Sequence, residues 1–316
     1  MAELKPTRDG FGEGLLELGK THPHVVALSG DLEDSARAIW FKKQYPDRFF
    51  SVGIAEQDMI GTAAGLALAG KIPFACSFSQ FVTGKSLEQM RLAVCYQSAN
   101  VKIVGSHGGL SVGADGATAE ALEELTVLRS LPRMTIVVPC DAVEAKKATI
   151  ASADYPGPVY LRLGRAPTPI LTKPGDPFAI GRANVLREGD DVTLIACGTM
   201  VDHALRAAEQ LAKDGVAARV INLHTVKPID RPALIAAAKA TGAIVTAEEH
   251  TVVGGLGSAV AEVLAEHHPV PMRFVGVQDR FGTSGDPAEL LKAFHLMPED
   301  IVAAARDVLR LKQHAL

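Results

Sequence analysis

The residues best placed to do chemistry stand at the ends of apolar runs. Glu56 follows Ser51-Val52-Gly53-Ile54 and falls in the first turn of an Ala/Gly-rich helical pattern. A carboxylate there has an ordinary use, since negative charge at a helix N-terminus complements the helix dipole. Its neighbours Ile54, Met59 and Ile60 are apolar, which points to a second use: a partly buried acid, desolvated enough to hold a proton for a bound molecule. The helix behind it carries Ala63, Ala64, Gly65, Ala67, Ala69 and Gly70, small residues that let another backbone approach closely.

Other candidates recur at similar places. Ser77-Phe78-Ser79-Gln80-Phe81 closes one run and opens a helix, where Phe78 and Phe81 can be core or can offer a stacking surface to a heteroaromatic ring. The stretch from Ser106 to Thr118 contains His107, Asp115 and Gly108, Gly109, Gly113 and Gly116 between a strand and a helix. Strand-to-helix loops of that length are uncommon and often functional, although local capping and turn roles are open to both polar residues. Arg162 and Arg165 follow an apolar run, where two guanidinium groups could grip a phosphate. Arg8 precedes the first helical pattern, and Asp31 follows Gly30 where an N-cap would also sit. Gly254-Gly255-Leu256-Gly257 looks like half of a dinucleotide fingerprint but lacks the G-x-G-x-x-G spacing.

These residues need elements to carry them. Expected strands are 25–29, 50–54, 72–77, 101–105, 135–139 and 159–163, alternating with helices at 10–20, 36–44, 56–69, 80–97, 119–129 and 142–153. Val/Ile-rich strands joined by helices indicate a doubly wound parallel sheet. Residues 171–187, with Pro174, Gly175, Pro177 and Gly181, read as a linker. A second strand–helix series follows, with strands at 192–196, 218–223, 244–248 and 273–277. The expectation is α/β in two domains, 1–170 and 188–316, each a mostly parallel sheet flanked by helices. Ligands in such sheets bind at the C-terminal strand ends, where most of the candidates fall.

Composition narrows the function classes. A formal net charge of −4 gives no support for nucleic-acid binding. No apolar run is long enough to span a membrane, and Met1-Ala2-Glu3-Leu4-Lys5 does not begin a secretory signal. Cys76, Cys95, Cys140 and Cys197 lie scattered in apolar stretches, the pattern of reduced thiols in a cytoplasmic protein.

The segment around Glu56 resembles the pyrimidine-domain signature of thiamine-diphosphate enzymes, and most closely the C-terminal two-thirds of transketolase. The resemblance covers nearly the whole chain. It implies that Glu56 hydrogen-bonds the aminopyrimidine of thiamine diphosphate, that Phe81 stacks on that ring and that Phe78 lines the same pocket. It further implies substrate contacts from Arg8, Asp31, His107, Asp115 and Arg165, with the two arginines on a sugar phosphate. Ala119 stands where transketolases usually carry His or Gln, which bears on the sugar specificity. The superfamily holds its divalent cation, Mg or Ca, through Gly-Asp-Gly followed 25–30 residues on by Asn. Here Gly-Asp occurs at Gly30, Gly175, Gly189 and Gly285, never before a third glycine, so no metal ligands are expected in this chain. The resemblance therefore implies the C-terminal subunit of a split transketolase, in an α2β2 assembly with an N-terminal subunit that carries the motif. Alternatives are an E1 β subunit of a 2-oxo-acid dehydrogenase, a deoxyxylulose-phosphate-synthase-like ketol transferase, and a silent paralogue acting only as a partner.

Overall fold

The computed structural model describes residues 3–314. Its first half contains strands β1 (Leu4–Lys5), β2 (Val25–Ser29), β3 (Phe49–Ser51), β4 (Ile72–Phe78), β5 (Lys102–Ser106), β6 (Thr135–Val137), β7 (Val159–Arg162) and β8 (Thr168–Pro169). The helices are α1 (Thr7–Thr21), α2 (Ile39–Gln44), α3 (Glu56–Leu68), α4 (Ser79–Gln89), α5 (Glu124–Ser130) and α6 (Ala142–Asp154). Strands such as β2, β5 and β7 are buried along their whole length, as an apolar pattern on both faces requires in a sheet covered on both sides.

The second half contains β9 (Asn184–Arg187), β10 (Val192–Ala196), β11 (Ala218–Asn222), β12 (Thr225–Lys227), β13 (Ile244–Thr251) and β14 (Met272–Val277), with α7 (Met200–Lys213), α8 (Arg231–Thr241), α9 (Leu256–His267), α10 (Pro287–Ala293) and α11 (Pro298–His314). Its sheet runs β14-β13-β10-β11-β9, parallel except for β9. The first sheet runs β12-β6-β7-β5-β4-β2-β3. Its last edge is therefore lent by the second half: β12 pairs antiparallel with β6, Thr225 opposite Val137. No helix among the described residues is long and apolar enough to cross a membrane.

The α/β architecture with two large, mostly parallel sheets is as expected; β1 and β8 add a small antiparallel pair, and the other differences have local causes. Helix α2 begins at Ile39 rather than at 36, because Arg37 has φ +64° and cannot sit inside a right-handed helix. Helix α5 begins at Glu124 rather than at 119, because the chain first turns at 117–119, with the Ala119 and Glu120 N–H groups bonded to the Gly116 carbonyl, and Ala121 then bridges to Gly108. The long helix expected over 80–97 breaks at Ser86 (φ −115°) and continues as a wider π-helical stretch, Met90–Tyr96. Residues 184–187, expected within the linker, form β9. Ile54, expected to end a strand, lies outside β3 and is 75% exposed.

Candidate active site

Glu56 opens α3 with its side chain buried, 2% exposed. A buried carboxylate needs hydrogen-bonding partners. The Ser77 hydroxyl at the end of β4 donates to Oε1 at 3.1 Å, and the Lys85 ammonium on α4 donates to Oε2 at 3.1 Å. The same ammonium lies 4.8 Å from the centre of the Phe81 ring. Lys85 is not among the residues that strand-end position picks out, yet a signal is there: it falls four residues after Phe81, on the same helical face.

Beside Glu56 stands a stack of rings. Phe78 and Phe81 lie 5.4 Å apart at 24°, and Phe78 and the His107 imidazole 3.8 Å apart at 20°. Val112 and Ala119 pack with Phe78, while Leu32 and Phe81 border the cluster. Ala119 is thus part of an apolar wall. His107 has φ +59°, and its Nδ1 meets the Ser106 hydroxyl at 3.0 Å. Burial, and then Arg8, Arg165 and Arg37, push its pKa down to about 3. The ring is therefore neutral at neutral pH and serves as a hydrogen-bond partner rather than a charge.

Arg8 donates from Nη1 to the Ser35 carbonyl at 3.0 Å, and its buried Nε has no partner. Burial, then Arg37, lower its pKa below the usual guanidinium value; Asp9 opposes them and Arg165 adds to the lowering. Arg165 donates to the Val112 carbonyl. Arg37, which nothing in the sequence pattern marks out, is pinned by Asp9 Oδ1 at 2.7 Å and the Asp34 carbonyl at 3.0 Å. Three guanidinium groups lie within electrostatic reach of the neutral histidine, and that of Arg37 is paired with Asp9. Asp31, with φ +65°, and Asp115 are exposed at the periphery.

One sequence expectation changes, and the weak fingerprint at 254–257 proves structural. Arg162 is not available to a phosphate. It is buried, and donates to the Glu124 carboxylate, to the Ala121 carbonyl at 3.1 Å and to the Glu249 carbonyl at 2.9 Å. The glycine run 254–257 is not an anion site either. The N-terminus of α9 is taken by Glu248, whose carboxylate accepts from the N–H groups of Leu256 at 2.6 Å and Gly257 at 2.8 Å. A Cβ on Gly255 would lie 2.1 Å from that carboxylate, so this glycine makes room for the protein's own anion.

Glu120 is an unexpected buried acid, 2% exposed, with neither carboxylate oxygen hydrogen-bonded. Burial, and then the Glu249 carboxylate, push its pKa up to about 7. An acid whose folded pKa is raised stabilises the fold while protonated. That contribution is full below about pH 4.5 and is lost as pH rises to about 7. Glu120→Gln, which carries no charge, is expected to raise stability at pH 8 by about 1–3 kcal/mol, with little gain at pH 4.5. Thermal melts at the two pH values check this, and an equal shift at both would count against a buried, proton-holding Glu120.

The pairing of a buried carboxylate with an aromatic face fits an aminopyrimidine, which offers a ring to stack and a basic ring nitrogen to bond. Among the described residues there is no group of three or more His, Cys, Asp or Glu side chains that could hold a metal ion.

Comparison with known proteins gives the family. Residues 4–169 match the family described as Transketolase, pyrimidine binding domain, and residues 181–301 match Transketolase, C-terminal domain. The chain is 44% identical to a 6-deoxy-6-sulfo-D-fructose transketolase subunit of Clostridium sp. (strain MSTE9), covering 96% of this chain and 95% of that one. It is 41% identical to a subunit of the apulose-4-phosphate transketolase of Phocaeicola vulgatus, covering 96% and 97%. A solved structure described as "Split gene transketolase, inactive beta4 tetramer" superposes with a TM-score of 0.92 at 46% identity, covering 97% of this chain and 99% of that one. With both domains matched and relatives of this closeness along its length, the chain belongs to the thiamine-diphosphate-dependent transketolase family, as a counterpart of the C-terminal subunits of split transketolases.

Proposed function

We propose that the chain is the pyrimidine-binding subunit of a two-subunit transketolase, which moves a two-carbon ketol unit from a ketose phosphate to an aldose phosphate. The observation that carries this reading is buried Glu56 joined through the Lys85 ammonium to Phe81, the end ring of the Phe81–Phe78–His107 stack. Thiamine diphosphate, when bound, supplies the carbon centre that carries the two-carbon unit. This chain's own residues prepare the site. Phe81 and Phe78 hold the pyrimidine and keep water from its face, and Glu56 shares a proton with the ring nitrogen. Arg8, Arg165 and neutral His107 hold the anionic end of the sugar, and Asp31 and Asp115 meet its hydroxyls.

The diphosphate and its Mg or Ca ion belong, on this reading, to an N-terminal subunit with the Gly-Asp-Gly motif, in a cytoplasmic α2β2 assembly. The solved relative supports it, since that β-only tetramer is described as inactive. The names of the two sequence relatives specify a phosphate in one substrate and a sulfo group in the other. Both are tetrahedral anions that a pair of arginines can serve.

Kinetics of the reconstituted subunit pair test this. Arg165→Ala should weaken a phosphorylated sugar about 10- to 150-fold, mostly in KM, for a charge-assisted bond worth about 1.5–3 kcal/mol. The free sugar should lose little. Equal losses for both sugars would leave Arg165 as a support for Val112 alone. No ketol transfer by the wild-type pair, across phosphorylated and sulfonated donors, would leave the chain a silent partner.

A further inference from the structure

The glycines of the 106–118 loop make sense once the second domain is placed over them. The loop leaves β5, turns through a 3-10 stretch, Leu110–Asp115, and is covered by the end of β13 and by the chain after β14. Glu249, near the end of β13, is 3% exposed. Its Oε1 accepts the Ser111 N–H, and its Oε2 accepts the Thr199 hydroxyl at 2.7 Å. Gly109 has φ +92°, and a Cβ there would lie 2.4 Å from Glu249 Oε1, so the loop backbone rests directly on the carboxylate. Further along, the Ser284 hydroxyl donates to the Ala114 carbonyl at 2.7 Å, and Pro287 packs against Gly113.

The next loop residue is held from the other domain, where Arg165 donates to the Val112 carbonyl. Ser111 and Val112 are thus fixed by one residue from each domain, between His107 on one side and Asp115 on the other. No cation bonds the Glu249 carboxylate among the described residues. Burying a carboxylate on neutral donors is costly, and an apolar side chain could have filled the space without holding the loop. We propose that Glu249 is a positioning residue of the substrate site: from the second domain it fixes the loop that presents His107 and Asp115 and, through Val112, the Arg165 guanidinium. The inference rests on the transketolase reading for what the loop binds, and on the geometry alone for what holds the loop.

Two measurements on Glu249→Ala and Glu249→Gln decide it. The first is amide hydrogen exchange on the chain by itself. Loss of a buried acceptor from an N–H should speed exchange of the 107–115 amides about 10- to 100-fold in the alanine variant. Glutamine keeps an acceptor for Ser111 and should restore most of the protection. The second is kinetics of the reconstituted pair, where the alanine variant should raise KM for the phosphorylated sugar by a similar factor, with kcat and thiamine diphosphate affinity nearly unchanged. Unchanged loop exchange would overturn the proposal. So would faster exchange spread evenly over both domains, or a loosened loop with KM unmoved. A wild-type pair without transfer activity would overturn the functional reading and leave the exchange result to judge the loop.

Discussion

Glu56→Gln is expected to lower kcat of the reconstituted enzyme by about 100- to 10,000-fold, the usual contribution of a positioned proton-sharing group. Glutamine is close to isosteric, and its carbonyl can accept from Ser77 or Lys85, so folding should survive. What it cannot do is exchange a proton with a pyrimidine nitrogen. Glu56→Ala should be at least as damaging to turnover and should also cost stability, since it strands the buried Ser77 hydroxyl. The measurement is kcat alongside circular dichroism and a melting curve. A variant with intact fold and assembly and near-normal kcat would reduce Glu56 to an ordinary helix-start acid.

The largest effect on stability is expected at Arg162. Its partner Glu124 is fully buried, and burial pushes the Glu124 pKa up while the Arg162 guanidinium pulls it down. His250, equally buried, sits 3.6 Å from the second Glu124 oxygen, and burial followed by Arg162 pushes its pKa down to about 3. It is therefore neutral and cannot replace the arginine. Arg162→Met should cost about 3–5 kcal/mol, because it leaves a carboxylate buried without a cation, and should lower the melting temperature on the order of 10 °C. Adding Glu124→Leu should recover a large part of the loss by removing the stranded charge. If Arg162→Met alone melts within about 2 °C of wild type, the pair is not the internal tie described.

These cases show what a sequence conveys. Alternating apolar runs and helical patterns suffice for two α/β sheets, because burial on both faces leaves a direct imprint on composition. Glu56, Phe78, Phe81 and His107 are legible because each stands at a strand end, and the structure brings them together. Arg162 misleads because it stands at the end of β7 only three residues from Arg165, and only tertiary packing shows that it is a buried tie while Arg165 is partly exposed. Glu120 leaves no sequence signal, since its carboxylate is enclosed by Gly282, more than a hundred residues further along the chain. Strand β12 escapes notice because three residues are too few to show a period.

That strand governs how the two halves can be recombined with those of relatives. A chimera joined within 171–187 would seat one parent's Thr225-Val226-Lys227 on the other parent's Thr135-Ile136-Val137. The graft then succeeds or fails on the complementarity of that short ladder. A fragment ended before Thr225 would leave β6 with unpaired backbone groups, a template for edge-to-edge aggregation. Domain shuffling in this scaffold therefore has a natural unit larger than either half: the first sheet together with the borrowed strand that closes it.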